Sequence, residues 1–248
     1  AKPTPQKIRI IIMKIRIADI CFELSDIKAN STNSMFNKYP GNGDSEHIIK
    51  VENQEVIDDI KNFEGEMPRD CAVNNIIYRK VADCLPLHNA FLLHSACFDV
   101  DGVGVAFAAH SGTGKTTHML LWQKLLGDRL KIVNGDKPII RFFDDDPASP
   151  YAYGTPWCGK ERLGCNMRTP LRHICFIERA EENSCTPINA SDAVNRIFNQ
   201  VYMPADPKAA ACTLELVNRL LSSCKLWLIR CNMDISAAET SYNAIFGK

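Results

Sequence analysis

The chain has 248 residues, 46% hydrophobic and 23% charged, the balance of an ordinary globular protein with room for one large domain and a small appendage. Lys and Arg together number 29, as do Asp and Glu, and the resulting zero net charge argues against a nucleic-acid or membrane partner. No apolar run approaches the roughly 18 residues of a membrane span, and the 11 cysteines, an odd number with no C-x-x-C pair, read as reduced thiols of a cytoplasmic protein.

In chain order, residues 1–12 differ in character from the rest of the chain and are expected to be a non-native or disordered leader, with Met13 as the natural start. Alternation over residues 14–24 predicts a strand, the polar stretch 30–45 with Pro40-Gly41-Asn42-Gly43 a loop, and residues 47–51 a second strand. Helical spacing of Ile76, Ile77, Val81, Cys84 and Leu85 predicts a helix over 74–87. Residues 13–90 thus form a small α+β lead-in to a larger segment, residues 91–248.

Strands are predicted at 91–100 and 103–108, joined by the hairpin signal Asp101-Gly102. Further strands follow at 130–133, 138–143, 174–178 and 226–231, and helices at 116–126, 190–202, 208–222 and 236–246. The fold class is mixed α/β.

Between the strand at 103–108 and the helix at 116–126 stands Ser111-Gly112-Thr113-Gly114-Lys115-Thr116-Thr117. Two glycines let backbone N–H groups turn inward around an anion, Lys115 reaches the β/γ-phosphates, and the Thr116 hydroxyl suits Mg²⁺. Strand, glycine loop and helix in that order aim a helix N-terminus at a phosphate. A chance Gly-Lys-Thr at a helix start is the competing reading. Ala109 replaces the usual first glycine of the pattern, which predicts an extended backbone there.

Phosphoryl transfer also needs a base and charge to offset the transition state. Asp136 ends the strand at 130–133, at the carboxyl end where ligands of α/β sheets collect, although an aspartate of the Asn134-Gly135-Asp136 turn would look the same. His94 sits among apolar strand residues, where a satisfied core histidine is the plainer reading. Glu161 lies in a glycine-flanked charged loop that could equally be a solvated turn, and Trp157 could serve as a lid or as packing.

The cradle, the run from His94 through Asp99, Gly102 and Gly104 to Ser111, the Asp136 strand end, Glu161-Arg162-Leu163-Gly164 and Ala237-Ala238-Glu239-Thr240 resemble the catalytic domain of HPr kinase/phosphorylase. More distantly they resemble ATP-dependent phosphoenolpyruvate carboxykinase. The resemblance covers about residues 90–248 and implies that family's α/β core of mixed sheet and flanking helices. It also implies nucleotide contacts from the cradle with Lys115 at the phosphates, Mg²⁺ ligation at Thr116 and Glu161, a proton relay at His94 and a general base at Asp136. Three features depart from it: Gly135-Asp136 stands where the kinase commonly has paired aspartates, the kinase's N-terminal regulatory domain is not recognisable in the lead-in, and residues 153–160 (Tyr-Gly-Thr-Pro-Trp-Cys-Gly-Lys) are not its signature. The chain is similar in that segment to an uncharacterised bacterial branch of the group.

The expected function is that of an ATP- and Mg²⁺-dependent kinase acting on a hydroxyl of a small molecule or peptide. A nucleotide-binding sensor without turnover and a carboxykinase are the alternatives. A homo-oligomer is compatible with this reading, and the acceptor is not legible.

Overall fold

In a computed structural model of the protein, residues 10–28 and 33–247 are described. The chain divides into two compact units, Ala1–Cys84 and Leu85–Lys248. Residues 1–9 of the expected leader lie outside the described residues, and the first strand begins at Ile10.

The first unit holds a three-stranded sheet in the order β1 (Ile10–Ile17), β2 (Ile20–Lys28), β3 (His47–Lys50), with β1 antiparallel and β3 parallel to β2. The single strand expected over 14–24 is therefore two. Ile15 and Ile17 are buried on odd positions, Ile20, Phe22 and Leu24 on even ones, and Ala18 and Asp19 between them turn with φ of 52° and 61°. That phase break is what a two-residue hairpin turn with positive φ requires.

The expected loop over 30–45 contains one helical turn, α1 (Asn33–Phe36), and is stitched back to β1 by Arg16 N–H to Tyr39 O at 2.9 Å and Gly41 N–H to Lys14 O at 3.0 Å. A helix that the sequence pattern does not announce, α2 (Asn53–Lys61), precedes α3 (Arg69–Cys84), which buries Ala72, Ile76, Ile77 and Val81.

In the second unit a 3₁₀ turn (Leu85–His88) leads to β4 (Ala90–Leu92), β5 (Ser95–Val100) and β6 (Val103–Ala108). The strand expected over 91–100 is broken at 93–94, so His94 lies between β4 and β5. Asp101 (φ 52°) and Gly102 (φ 88°) make the predicted tight turn, and Asp99 Oδ1 accepts from Gly102 N–H at 3.0 Å.

Helix α4 (Lys115–Leu126) is followed by β7 (Leu130–Asn134), β8 (Ile139–Arg141), β9 (Tyr151–Tyr153), the long β10 (Arg168–Arg179) and β11 (Ser184–Pro187). Helices α5 (Ala190–Phe198) and α6 (Pro207–Ser223), strand β12 (Lys225–Cys231) and helix α7 (Ile235–Phe246) complete the unit.

The main sheet runs β7-β5-β6-β10-β12-β11. Its strands β7, β6, β10 and β12 point the same way, with β5 antiparallel between β7 and β6. The start of β10 bends into a second ribbon with β9, β8 and β4.

Alternation of side chains gives the sheet two apolar faces. Ala106, Ala108, Ile174 and Phe176 pack with Ala193 and Ile197 of α5 and with Leu216, Val217 and Leu220 of α6. Val105, Phe107, Cys175 and Ile177 pack with Met119 and Trp122 of α4 and Ala237, Ala238 and Ile245 of α7. The result is helix, sheet, helix, the layering that buries a mixed sheet on both sides. No helix among the described residues is long and apolar enough to cross a membrane, and all 11 cysteines are unbridged.

Candidate functional site

The carboxyl ends of β6, β7 and β10 share one edge of the sheet, and β6 passes there through residues 109–114 into α4. Ala109 is not among the residues with positive φ, as expected for an extended backbone, whereas Gly112 (φ 77°) and Gly114 (φ 121°) take the left-handed conformations the turn requires. No side chain caps α4 at Gly114, so its first-turn N–H groups are left for another acceptor.

Lys115, 7% exposed, curls over the loop and donates to Ala109 O at 2.8 Å and His110 O at 3.4 Å. Ser111 and Gly112 are exposed, as is Thr117, while Thr113, Gly114 and Thr116 are half-buried. An open depression of 520 Å³ lies between the loop residues His110, Ser111, Gly112 and Thr113 and the end of β10 at Ile177, Glu178 and Arg179.

Arg179 donates through Nη2 to Gly112 O and through Nε to Thr113 O at 3.2 Å, so a strand end braces the loop from the side. Nothing in the sequence singles out Arg179, since it is one arginine among many until β10 is laid beside β6.

On the other side of β6, two backbone hydrogen bonds join the segment before β5 to the turn after β7. Leu93 N–H donates to Pro138 O at 3.1 Å and Ser95 N–H to Asp136 O at 3.0 Å. His94 N–H donates to Gln200 O at 2.7 Å. This stitching brings His94 Nε2 to 3.1 Å from Asp136 Oδ1, with the two side chains 22% and 31% exposed. His94 is therefore not a sealed core histidine.

Burial pushes the Asp136 carboxyl upward, but the His94 hydrogen bond and the positive charges of Lys137 and Lys115 outweigh it and hold the group below the usual carboxylate range. An ionised carboxylate only accepts, so the contact fixes the proton on His94 Nε2. Burial lowers Lys115, against the pull of Asp136 and with the repulsion of Lys137.

Glu161 belongs to a loop laced onto β7 by Gly135 N–H to Leu163 O at 2.8 Å and Cys165 N–H to Val133 O at 3.2 Å. A Cβ placed on Gly159 would sit 3.3 Å from Asp136 Cβ and 3.5 Å from Glu161 Oε2, so both acidic side chains flank the same glycine. His94, Lys115, Asp136 and Glu161, scattered along the sequence, come to this one edge.

The turn that carries Asp136 is held by two buried residues that sequence reasoning did not single out. Asn134 Oδ1 accepts from Asp136 N–H at 2.9 Å and Lys137 N–H at 2.7 Å. Asn134 Nδ2 donates to Thr155 O at 3.1 Å and Thr155 Oγ1 at 2.9 Å, and Thr155 Oγ1 donates to Lys137 O at 2.7 Å. The Gly154-Thr155-Pro156-Trp157 segment is thus a clamp on the Asp136 turn, and Trp157, 9% exposed, packs in its interior instead of closing as a lid. A signal was present for Asn134, because an Asn followed by Gly and Asp readily hydrogen-bonds N–H groups two and three residues on. None was present for Thr155.

Among the described residues no three His, Cys, Asp or Glu side chains gather as a metal group. Mg²⁺ that travels with a nucleotide needs only one or two protein oxygens beside its phosphate oxygens. Thr116 at the start of α4 and Glu161 beside Asp136 are of the right chemistry for that.

No family model and no curated protein matches the chain. Among solved structures, the HPr(Ser) kinase/phosphatase from Coxiella burnetii matches at 12% identity, covering 52% of this chain and 90% of that chain with a TM-score of 0.29.

Proposed function

We propose that the protein is an ATP- and Mg²⁺-dependent phosphotransferase that moves the γ-phosphoryl group to a hydroxyl of a small molecule or peptide. The observation that carries this reading is the Asp136 carboxylate, held 3.1 Å from His94 Nε2 after β7, at the same edge of the sheet where the glycine loop carries Lys115 from β6 into α4. A base and a phosphate-binding cation at one sheet edge are what in-line transfer needs.

Ser111, Gly112, Thr113, Gly114, Lys115, Thr116 and Thr117 hold the nucleotide phosphates through backbone N–H groups and the Lys115 ammonium. Thr116 and Glu161 hold the Mg²⁺, which offsets phosphate charge when bound. Asp136 accepts the proton of the acceptor hydroxyl as its oxygen attacks phosphorus, the bond from phosphorus to the β-bridging oxygen breaks, and ADP leaves with that electron pair. His94 donates its Nε2–H to the carboxylate and keeps it oriented, and the proton that Asp136 takes up leaves to solvent with the product.

Gly135 favours a second reading, a nucleotide-binding sensor without turnover. With glycine and not an acid at position 135, and Glu161 assigned to the metal, one carboxylate alone serves the acceptor.

The test is transfer of label from γ-labelled ATP to pools of polyols, sugars, amino acids and peptides, with Lys115→Met and Asp136→Asn alongside. The kinase reading expects a labelled acceptor, Mg-ATP binding weakened about tenfold or more in Lys115→Met, and transfer reduced at least about 10²-fold in Asp136→Asn with binding retained. Binding without label in any pool leaves the sensor. No Mg-ATP binding removes both.

A further inference from the structure

Lys137 has no part in the chemistry above, yet its backbone is held on both sides. Its N–H donates to Asn134 Oδ1 at 2.7 Å and its carbonyl accepts from Thr155 Oγ1 at 2.7 Å, so both ends of the residue are tied to side chains that are themselves 0% and 1% exposed. Pro138 comes next, and its carbonyl is bonded by Leu93 N–H at 3.1 Å.

The side chain turns inward. Lys137 Nζ lies 3.8 Å from Asp136 Oδ1, beyond a good hydrogen bond, and the side chain is 24% exposed. The same carboxylate oxygen is bonded by His94 Nε2 at 3.1 Å and its charge also acts on Lys115. Two ammonium groups and one imidazole thus share the Asp136 charge. Lys115 and Lys137 repel each other, and burial lowers both. Glu161 is the other carboxylate at this edge, and in the proposed chemistry it belongs to the metal.

Asp136 is one carboxylate shared by two ammonium groups and an imidazole, so a further anion reaching both lysines lowers their mutual repulsion. The anion that fits is a phosphate group in front of the glycine loop, on the side of Asp136.

We infer that Lys137 is a second phosphate-binding cation, set by the Asn134–Thr155 clamp to contact the γ-phosphoryl group while Lys115 serves the β/γ bridge. The inference rests on the proposed nucleotide function. It also gives the Gly154-Thr155-Pro156-Trp157 segment a purpose, since that segment orients this lysine together with the base.

Titration calorimetry of the whole chain with Mg-ATP and Mg-ADP tests it, comparing the parent, Lys137→Met and Lys137→Arg. The expected result is Mg-ATP affinity reduced about tenfold in Lys137→Met, Mg-ADP affinity changed less than about twofold, and substantial recovery of Mg-ATP binding in Lys137→Arg. Unchanged Mg-ATP affinity in Lys137→Met, or equal weakening of both nucleotides, overturns the inference while leaving the nucleotide function in place. A parent protein that binds neither nucleotide overturns both.

Should Lys137→Met not fold, amine acetylation of the parent read by mass spectrometry gives a second measurement. Lys137 is expected to be protected by Mg-ATP and not by Mg-ADP, and Lys115 by both. Equal labelling of Lys137 with and without Mg-ATP overturns the inference.

Discussion

Asn134 and Thr155 bond each other through the Asn134 carboxamide, which donates to both the Thr155 carbonyl at 3.1 Å and its hydroxyl at 2.9 Å. Both residues are buried, so a group left without its partner there would carry its desolvation cost uncompensated. Thr155→Val keeps the shape and removes the hydroxyl, leaving Lys137 O without its donor. It is expected to lower unfolding stability by about 1–3 kcal/mol, and Thr155→Ser by less than about 1 kcal/mol. Urea unfolding of the two variants checks this, and equal midpoints for Val and Ser would remove the clamp.

Arg179 is exposed, so its two hydrogen bonds to Gly112 O and Thr113 O act on the loop more than on the whole fold. Arg179→Met is expected to leave the urea midpoint almost unmoved. Loss of two charge-assisted bonds at roughly 0.5–1.5 kcal/mol each should speed amide exchange of the loop by about tenfold or more. Hydrogen exchange read by mass spectrometry over residues 109–116 is the measurement, and unchanged exchange there would mean that the loop holds itself.

Two glycines near the clamp separate by how closely other backbone approaches. A Cβ on Gly154 would lie 1.8 Å from Cys165 O and 2.7 Å from Val133 O, backbone atoms held by the Met167 N–H to Cys165 O and Cys165 N–H to Val133 O hydrogen bonds. Gly154→Ala is therefore expected to prevent folding of the second unit or to cost more than about 3 kcal/mol. At Gly135 the nearest atoms are Cys158 O at 3.1 Å and Leu163 O at 3.2 Å, contacts a small shift relieves. Gly135→Ala is expected to cost about 1 kcal/mol. Thermal or urea unfolding ranks the two, and a reversed order would contradict the packing of the 158–165 loop on β7.

His173 takes a hydrogen bond on Nδ1 from Trp227 Nε1 at 3.1 Å, a contact available only to a ring nitrogen without a proton. Burial, aided by the nearby Lys225 charge, lowers its pKa from 6.5 to about 4. Between those values the unfolded chain binds a proton that the folded one refuses, so stability falls as pH falls from 6.5 to about 4 and is level above that window. The share of this one residue is about 3 kcal/mol.

His118, lowered to about 4 by burial, acts in the same direction. His173→Gln should reduce the acid loss by about half, measured as urea midpoints across the window. An unchanged acid limb would assign the loss elsewhere.

Several features were legible because they depend on neighbours in the chain. The Asp101-Gly102 turn, the glycine loop between a strand and a helix, and the helices from residue 190 onward rest on local sterics and on the 3.6-residue repeat of apolar side chains. The β1–β2 hairpin was legible in principle, since the apolar phase slips at Ala18 and Asp19, but Ala18 is not a turn residue and no glycine follows Asp19, so the two strands read as one. Strand β9 (Tyr151–Tyr153) and the first half of β10 were hidden because three residues carry no period to read, and because Pro170 within β10 argues against a strand until its edge position is known.

The sequence by itself determined the mixed α/β class, the glycine loop with Lys115, and the types of side chain that could work beside it. It did not determine that His94 bonds Asp136, that Glu161 flanks the same glycine as Asp136, or that Arg179 braces the loop. Those relations depend on strand order: β5 must lie between β6 and β7 for His94 to reach Asp136, and β10 must lie on the far side of β6 for Arg179 to reach Gly112. Pairing between distant strands is made by backbone hydrogen bonds that every residue type can form, so their choice of partner is written in the packing of the two sheet faces and not in any short stretch of chain.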